Sequence, residues 1–369
     1  MLRRVWKPLA VTSAIGAAGS TYYFTRAHET FDLSIPIRGA DGKRTMSKQS
    51  LLLQSLAESE ARIREHASSH STLTRPDGVT WNHTTAKLAS NNPIEDAHSH
   101  QVIQRDPLDP AGAGDYLFYS VFDGHGGFET SQLLSRTLIR ATALELSALS
   151  LHSQAQNAGV FSRFKSYFSK SSPVLDANPE VVSQAIQRAF VNFDAELLKA
   201  PVRVLAENWD EESRKTGVIP DLSKHPLALT SMLPAMSGSS TLLYHFFHYS
   251  KDVKTGSCAL MTLFDTAHDN LYVALAGDCR AVAGIWEPSD DGKGKWRVDV
   301  LTEDQTGRNP NELKRIQSEH PKEEEGDVVR NGRILGGLEP SRAFGDARYK
   351  WPAEMQMMFA FSPFLSYPC

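Results

Sequence analysis

The sequence predicts a layered α+β protein from three features of its apolar patterning. An aromatic and β-branched run, Tyr116 to Phe122, reads as a buried strand of about seven residues and enters a glycine-rich turn. Two amphipathic stripes read as helices, one through Leu133, Leu134, Leu138 and Ile139, the other through Val182, Ile186, Phe190, Phe193 and Leu197. From Ser237 onward the apolar period becomes that of strands separated by short turns, an antiparallel meander rather than alternating βαβ units.

Composition sets the frame for the elements. The 369 residues suffice for one large domain with extensions or for two smaller ones, and the 41% hydrophobic and 22% charged content is ordinary for a globular chain. A net charge of -4 gives no reason to expect a nucleic-acid partner. Cys258, Cys279 and Cys369 lie too far apart in sequence for a disulfide framework or a thiolate zinc motif, which fits a reducing compartment.

In chain order, residues 1–28 contain Arg3, Arg4, Lys7 and Arg26 but no acidic side chain, the bias of a mitochondrial presequence. Pro8 to Phe24 is uncharged but as a helix reaches only ~25 Å against a ~30 Å hydrocarbon core. A cleavable mitochondrial signal or a short inner-membrane anchor through residues 8–24 ranks first, a secretory signal second, and a basic tail without targeting meaning stays open. Thr25 to Met46 reads as a linker broken by Pro36, Gly39 and Gly42, so residues 1–46 form a targeting and linker segment. A helix is expected from an N-cap at Ser47, with Leu52, Leu53, Leu56 and Ile63 on its stripe, fading into the polar run Glu65 to Thr74.

Adjacent carboxylates follow at Glu95 and Asp96 in Asn91-Asn92-Pro93-Ile94-Glu95-Asp96; alone they would be surface charge. Residues 150–177 read as a surface insertion, Asn178 as a helix cap, and residues 201–236 as a second insertion. The meander comprises Ser237 to Tyr244, Cys258 to Phe264, Leu271 to Ala276, Arg280 to Trp286 and Trp296 to Leu301. Asn309 caps a short helix through Leu313 and Ile316; a strand at Arg333 to Gly337 and a turn at Ser341 to Asp346 follow.

The chemistry centres on Asp123-Gly124-His125-Gly126-Gly127 at the end of the aromatic strand. A carboxylate and an exposed carbonyl are hard oxygen ligands suited to Mg²⁺ or Mn²⁺, and an imidazole two residues on can move a proton. Alone, the run is equally a solvated turn. Other phosphate chemistry is excluded by inspection: neither Cys258 nor Cys279 has an arginine six positions on, and there is no Gly-x-x-x-x-Gly-Lys-Ser/Thr, Gly-Asp-x-His-Gly, Asn-His-Glu or His-Glu-x-x-His run.

Five ordered motifs, Ile94-Glu95-Asp96, Val121 to Gly127, Ser237-Gly238-Ser239-Ser240-Thr241, Ala276 to Val282 and Ser341 to Asp346, resemble the type 2C metal-dependent protein serine/threonine phosphatases, over roughly Asn82 to Trp351. Asn-x-Pro-Ile-Glu-Asp, Leu301 to Asp304 running on to Glu319-His320-Pro321, and Phe344 to Trp351 look most like the mitochondrial pyruvate dehydrogenase phosphatase branch. The resemblance implies two antiparallel sheets sandwiched between helical layers (α-β-β-α), with two-metal activation of water for phosphoserine and phosphothreonine hydrolysis. It implies Asp123 and the Gly124 carbonyl as metal ligands, Glu95 and Asp96 holding metal-bound waters, Asp278 serving a third, weaker ion, and His125 as the catalytic acid. Asn91 stands where most of the family has a phosphate-holding arginine, and Arg342 is the other substrate-side candidate. A mitochondrial phosphoprotein is the implied partner, pyruvate dehydrogenase E1 among the options, in the matrix or at the inner membrane.

The phosphatase-like catalytic domain is expected over residues 47–356, with insertions near 150–177 and 201–236, and is incomplete at its C-terminal end. An Asp-Gly-x-Trp motif and an Asn/Asp pair, carriers of two further carboxylates, are not found, and Met357 to Cys369 is unlike the family. The C-terminal part of the fold is therefore expected to be missing, with the frame leaving the coding sequence near Gln356. Two functions follow: a protein phosphatase, or a relative that binds phosphoprotein without hydrolysing it.

Overall fold

A computed structural model describes residues 30–38, 44–71, 80–104, 114–155, 178–207, 215, 255–289 and 292–360. The chain divides into two compact units, 1–88 and 89–369, so residues 47–88, which the sequence joined to the phosphatase-like region, fall in the first unit. Residues 8–24, most of both insertions, Ser237 to Thr241 and residues 361–369 lie outside the described residues.

In the first unit, β1 (Thr30–Arg38) and β2 (Arg44–Leu52) pair antiparallel, Thr30 opposite Leu52 and Arg38 opposite Arg44. This corrects the expected linker and the helix starting at Ser47. Phe31, Leu33, Ile35 and Ile37 alternate at the strand period, while Gly39 and Gly42 fall between the strands. The helix α1 begins later (Leu56–Arg64), where Ser55 and Glu58 form a reciprocal capping box. β3 (Ser68–Ser71) and β4 (Asn82–Thr85) make a second hairpin, with His70 stacked on His83 at 4.9 Å.

The second unit is built on β5 (Ala97–Gln104) and β6 (Asp115–His125), followed by α2 (Glu129–Ala155) and α3 (Pro179–Glu207). Asn178 starts α3 as expected, its Oδ1 accepting from the Glu180 amide at 3.0 Å. The helix runs through Pro201 to Glu207, so the irregular insertion does not begin at Pro201. Then come β7 (Gly256–Asp265), β8 (Asn270–Ala276), β9 (Val282–Glu287), β10 (Lys295–Val300) and α4 (Pro310–Ser318), the last capped by Asn309. Short pieces close the unit: the hairpin β11 (Val329–Arg330) and β12 (Arg333–Ile334), β13 (Phe344–Gly345), α5 (Ala347–Lys350) and α6 (Ala353–Ala360).

The α+β class with antiparallel sheets is borne out. Strands β5, β6 and β7 lie side by side, with β8 and β13 sharing the far edge of β7; β9 and β10 form a separate hairpin. Alternate residues of β6, Tyr116, Phe118 and Phe122, and of β7, Ala259, Met261 and Leu263, join Leu134 and Leu138 of α2 and Val182, Ile186 and Phe190 of α3 in one buried core. Phe122 is fully buried there. The period-two rule then sends Val121 and Asp123 to the opposite face, where both are exposed. Burial of the aromatic face thus fixes which way Asp123 points.

Candidate metal centre

The register of β6 against β7 builds the site. Asp123 lies opposite Cys258, Gly124 opposite Ser257, and His125 opposite Gly256. Asp278, in the turn between β8 and β9, comes to the same place: ligand atoms of Asp123, Cys258 and Asp278 all lie within 4.8 Å of one another. Cys258 Sγ donates to Asp278 Oδ1 at 3.1 Å. The turn is pinned on its other side, where the Gly277 amide donates to Gln305 Oε1 at 2.8 Å and the Gln305 amide donates to the Gly277 carbonyl at 2.9 Å. A side chain on Gly277, at φ 122, would run into Cys258.

Glu95 and Asp96 reach the same strand end from the segment before β5. A Cβ on Gly124 would collide with the Glu95 carbonyl, to which Ser131 Oγ also donates, so the glycine admits this close approach. Asn91 Nδ2 donates to Glu95 Oε2 at 2.5 Å. Burial, then the charges of Asp96 and Asp278, raise the Asp123 pKa; His125 opposes and Glu95 adds to the rise. Mutually repelling carboxylates around Asp123 form a donor set that a hard divalent cation would neutralise, so the residues fit Mg²⁺ or Mn²⁺.

His125 Nε2 lies 2.9 Å from Asp346 Oδ2. Burial alone would lower the imidazole pKa, but the hydrogen bond to Asp346 and its charge outweigh it, aided by Asp123 and Asp278, and the net shift is upward. Asp346 is itself buried, adopts φ 52, and donates its amide to the Thr255 carbonyl at 3.1 Å. Gly256 leaves the space in which the pair meets: a Cβ there would strike both His125 Nε2 and the Asp346 carboxyl.

Of the residues expected from the sequence, Asp123, Gly124, Glu95, Asp96, Asp278 and His125 gather at one strand end. Arg342 is engaged elsewhere, with Nη2 donating to Glu312 Oε1 at 2.5 Å and Nε to Oε2 at 3.0 Å. It lines a cavity of about 1000 Å³ bounded by α3, β8 and α4, whose walls include neither Asp123 nor His125. Asp346, Gly256 and Cys258 were missed as site residues. The available signal was a short run of small residues, Thr255-Gly256-Ser257-Cys258, just before a strongly apolar strand.

The fold and this cluster of carboxylates form a candidate metal centre, and in comparison with known proteins residues 224–365 match the family Protein phosphatase 2C. Over these residues the chain is similar to that family. It is 34% identical to a mitochondrial pyruvate dehydrogenase (acetyl-transferring) phosphatase 1 of Saccharomyces cerevisiae, over 84% of this chain and 44% of that protein. A protein phosphatase 2C homolog of Schizosaccharomyces pombe is 36% identical, over 76% of this chain and 49% of the relative. A human mitochondrial pyruvate dehydrogenase (acetyl-transferring) phosphatase 2 is 27% identical, over 73% of this chain and 47% of the relative. The chain thus spans less than half the length of each of these relatives, and its likeness to them bears out the expected branch.

Proposed function

We propose that this protein is a Mg²⁺- or Mn²⁺-dependent protein serine/threonine phosphatase acting on a mitochondrial phosphoprotein. The convergence of Asp123 and Asp278 beside the His125–Asp346 pair supports this reading most strongly. Asp123, Asp278 and the Gly124 carbonyl would hold the metal, with Glu95 and Asp96 completing the negative surround. When bound, the cation neutralises charge on the phosphoryl oxygens and makes water acidic enough to attack phosphorus at neutral pH.

The side chains of this chain supply the proton chemistry. Asp346 accepts from His125 Nε2, fixes the ring and favours its protonated form. His125 then protonates the departing seryl or threonyl oxygen, an alkoxide that leaves poorly without a proton. The names of the relatives and the basic N-terminus support a mitochondrial location and pyruvate dehydrogenase E1 as the first substrate to try. Among the described residues no helix is long and apolar enough to cross a membrane, and residues 8–24, the expected anchor, lie outside them.

The test is Mn²⁺- and Mg²⁺-dependent release of phosphate from a phosphothreonine peptide and from phosphorylated E1, by wild type and by Asp123→Asn. Metal-dependent turnover by the wild type alone is expected. Equal background rates from both proteins would overturn the reading in favour of phosphoprotein binding without hydrolysis.

A further inference from the structure

Asp346 reaches His125 through an unusual backbone path. Gly345 and Asp346 both have positive φ, 75 and 52, uncommon for a non-glycine residue although aspartate tolerates it better than most. The segment is held on one side by β7 and the residue before it, Thr255, whose carbonyl accepts the Asp346 amide, and on the other by one stripe of α3. Phe344 is 2% exposed and packs on Phe190 and Phe193, with ring centroids 5.3 and 6.1 Å away. Asp194, next on the same stripe, accepts the Gly345 amide on Oδ1 at 2.8 Å and Lys350 Nζ on Oδ2 at 2.7 Å. Four residues further on, the Leu198 carbonyl accepts from Trp351 Nε1 at 3.2 Å. Of these contacts, only the Asp194 to Gly345 bond grips the backbone of Gly345, the residue before Asp346, whose own amide is held by the Thr255 carbonyl.

We propose that Asp194 is a positioning residue for proton transfer: by holding the Gly345 amide it sets Asp346, and through Asp346 it aims the His125 ring at the leaving oxygen. This rests on the phosphatase reading above. The bond needs an oxygen acceptor at position 194 but not a charge, whereas the Lys350 pair needs the charge. Asp194→Asn therefore keeps the part that matters and Asp194→Ala loses it, while Lys350→Met removes the ion pair together with the Lys350 bond to the Ala343 carbonyl but leaves the Asp194 to Gly345 bond in place.

Leaving-group chemistry separates positioning from simple destabilisation. A threonyl leaving group depends on protonation, whereas p-nitrophenolate departs readily without it, so a misaimed acid is felt only by the first substrate. With Mn²⁺, Asp194→Ala should lose about tenfold or more in kcat on the phosphothreonine peptide at unchanged KM, and no more than about twofold on p-nitrophenyl phosphate. Asp194→Asn and Lys350→Met should stay within about twofold of wild type on both substrates. Equal losses on both substrates in Asp194→Ala, or an Asp194→Asn that behaves like alanine, would overturn the assignment. Amide hydrogen exchange gives a readout independent of activity: the Gly345 amide should exchange faster in Asp194→Ala and remain protected in Asp194→Asn. Unchanged exchange in Asp194→Ala refutes the anchor. Absence of turnover by the wild type would instead refute the phosphatase reading and the catalytic role with it, and exchange would still decide whether Asp194 holds the segment.

Discussion

His125 Nε2 and Asp346 Oδ2 stand 2.9 Å apart across 221 residues of sequence, joining the end of β6 to the turn that follows β13. Such a pair works as one unit, so its losses should not add. His125→Gln is expected to slow phosphothreonine hydrolysis by ~10²- to 10⁴-fold, the usual worth of a general acid. Asp346→Asn should slow it comparably, and the double variant should be no slower than the worse single variant. A double-mutant cycle of kcat measures this, and additive losses would show that the two residues act separately.

Asp123 carries a charge that the metal-free fold disfavours, because burial and then Asp96 and Asp278 raise its pKa. Neutralising it should relieve that repulsion. In metal-free buffer Asp123→Asn is expected to melt higher than wild type, by about 2–4 °C for each kcal/mol relieved. Millimolar Mn²⁺ should raise the wild-type Tm by binding only the folded state, and should leave the variant almost unmoved. Paired thermal melts with and without Mn²⁺ check both signs, and a variant that melts lower without metal would remove the case for an uncompensated acidic cluster.

The half of the site that lies on β6 was legible because local rules agreed. An aromatic strand, a glycine turn with Gly126 and Gly127 at φ 70 and 143, and an apolar stripe after it all pointed to Asp123 at a strand end. Asp278 was legible for the same reason, as a carboxylate between two strands. Asp346 was not, because only long-range contacts, the pairing of β13 with β7 and the packing of Phe344 against α3, make it a neighbour of His125; by local pattern it is one more polar residue in a turn. Gly256 was hidden by register, since no local pattern reveals which residue of β7 faces His125. In the first unit local signals conflict: Pro36 and the glycines argue against regular structure, whereas Phe31, Leu33, Ile35 and Ile37 alternate as a strand should, and the capping box of Ser55-x-x-Glu58 outweighs a lone serine cap at Ser47.

Gly256 tests that register directly. Gly256→Ala places a methyl group against His125 Nε2 and the Asp346 carboxyl, both ends of side chains that can be pushed aside. The backbone needs little rearrangement, so the cost should appear in catalysis rather than in folding. A displacement of about 1 Å at a proton donor can cost ~10²-fold in rate. Gly256→Ala is expected to lose about that factor in kcat on phosphothreonine while unfolding in urea within about 1 kcal/mol of wild type. A variant with full activity would contradict the placement of Gly256 between the two side chains.

Glu312 gives the pH dependence. It sits on α4 and accepts from Ser341 Oγ at 2.8 Å, from Arg342 and from Arg315 Nη2 at 2.9 Å, tying the segment that carries Asp346 to the helix. Burial alone would raise its pKa, but the bonds from Arg342, Arg315 and Ser341 prevail and lower it from 4.5 to about 2. The folded state therefore binds this proton less readily than the unfolded state. The stabilisation is complete above pH 4.5 and is lost as pH falls toward 2, with wild-type stability rising with pH inside that window. Because both arginines are partly exposed, the contribution is about 1–2 kcal/mol rather than that of a fully buried pair. Glu312→Gln keeps an acceptor but no charge. The stability gap between wild type and Glu312→Gln, measured by urea unfolding, should be constant from pH 7 to pH 5 and narrow steadily at lower pH for as long as both proteins fold. A gap that stays constant below pH 4 would mean that the charge of Glu312 contributes nothing to holding this segment.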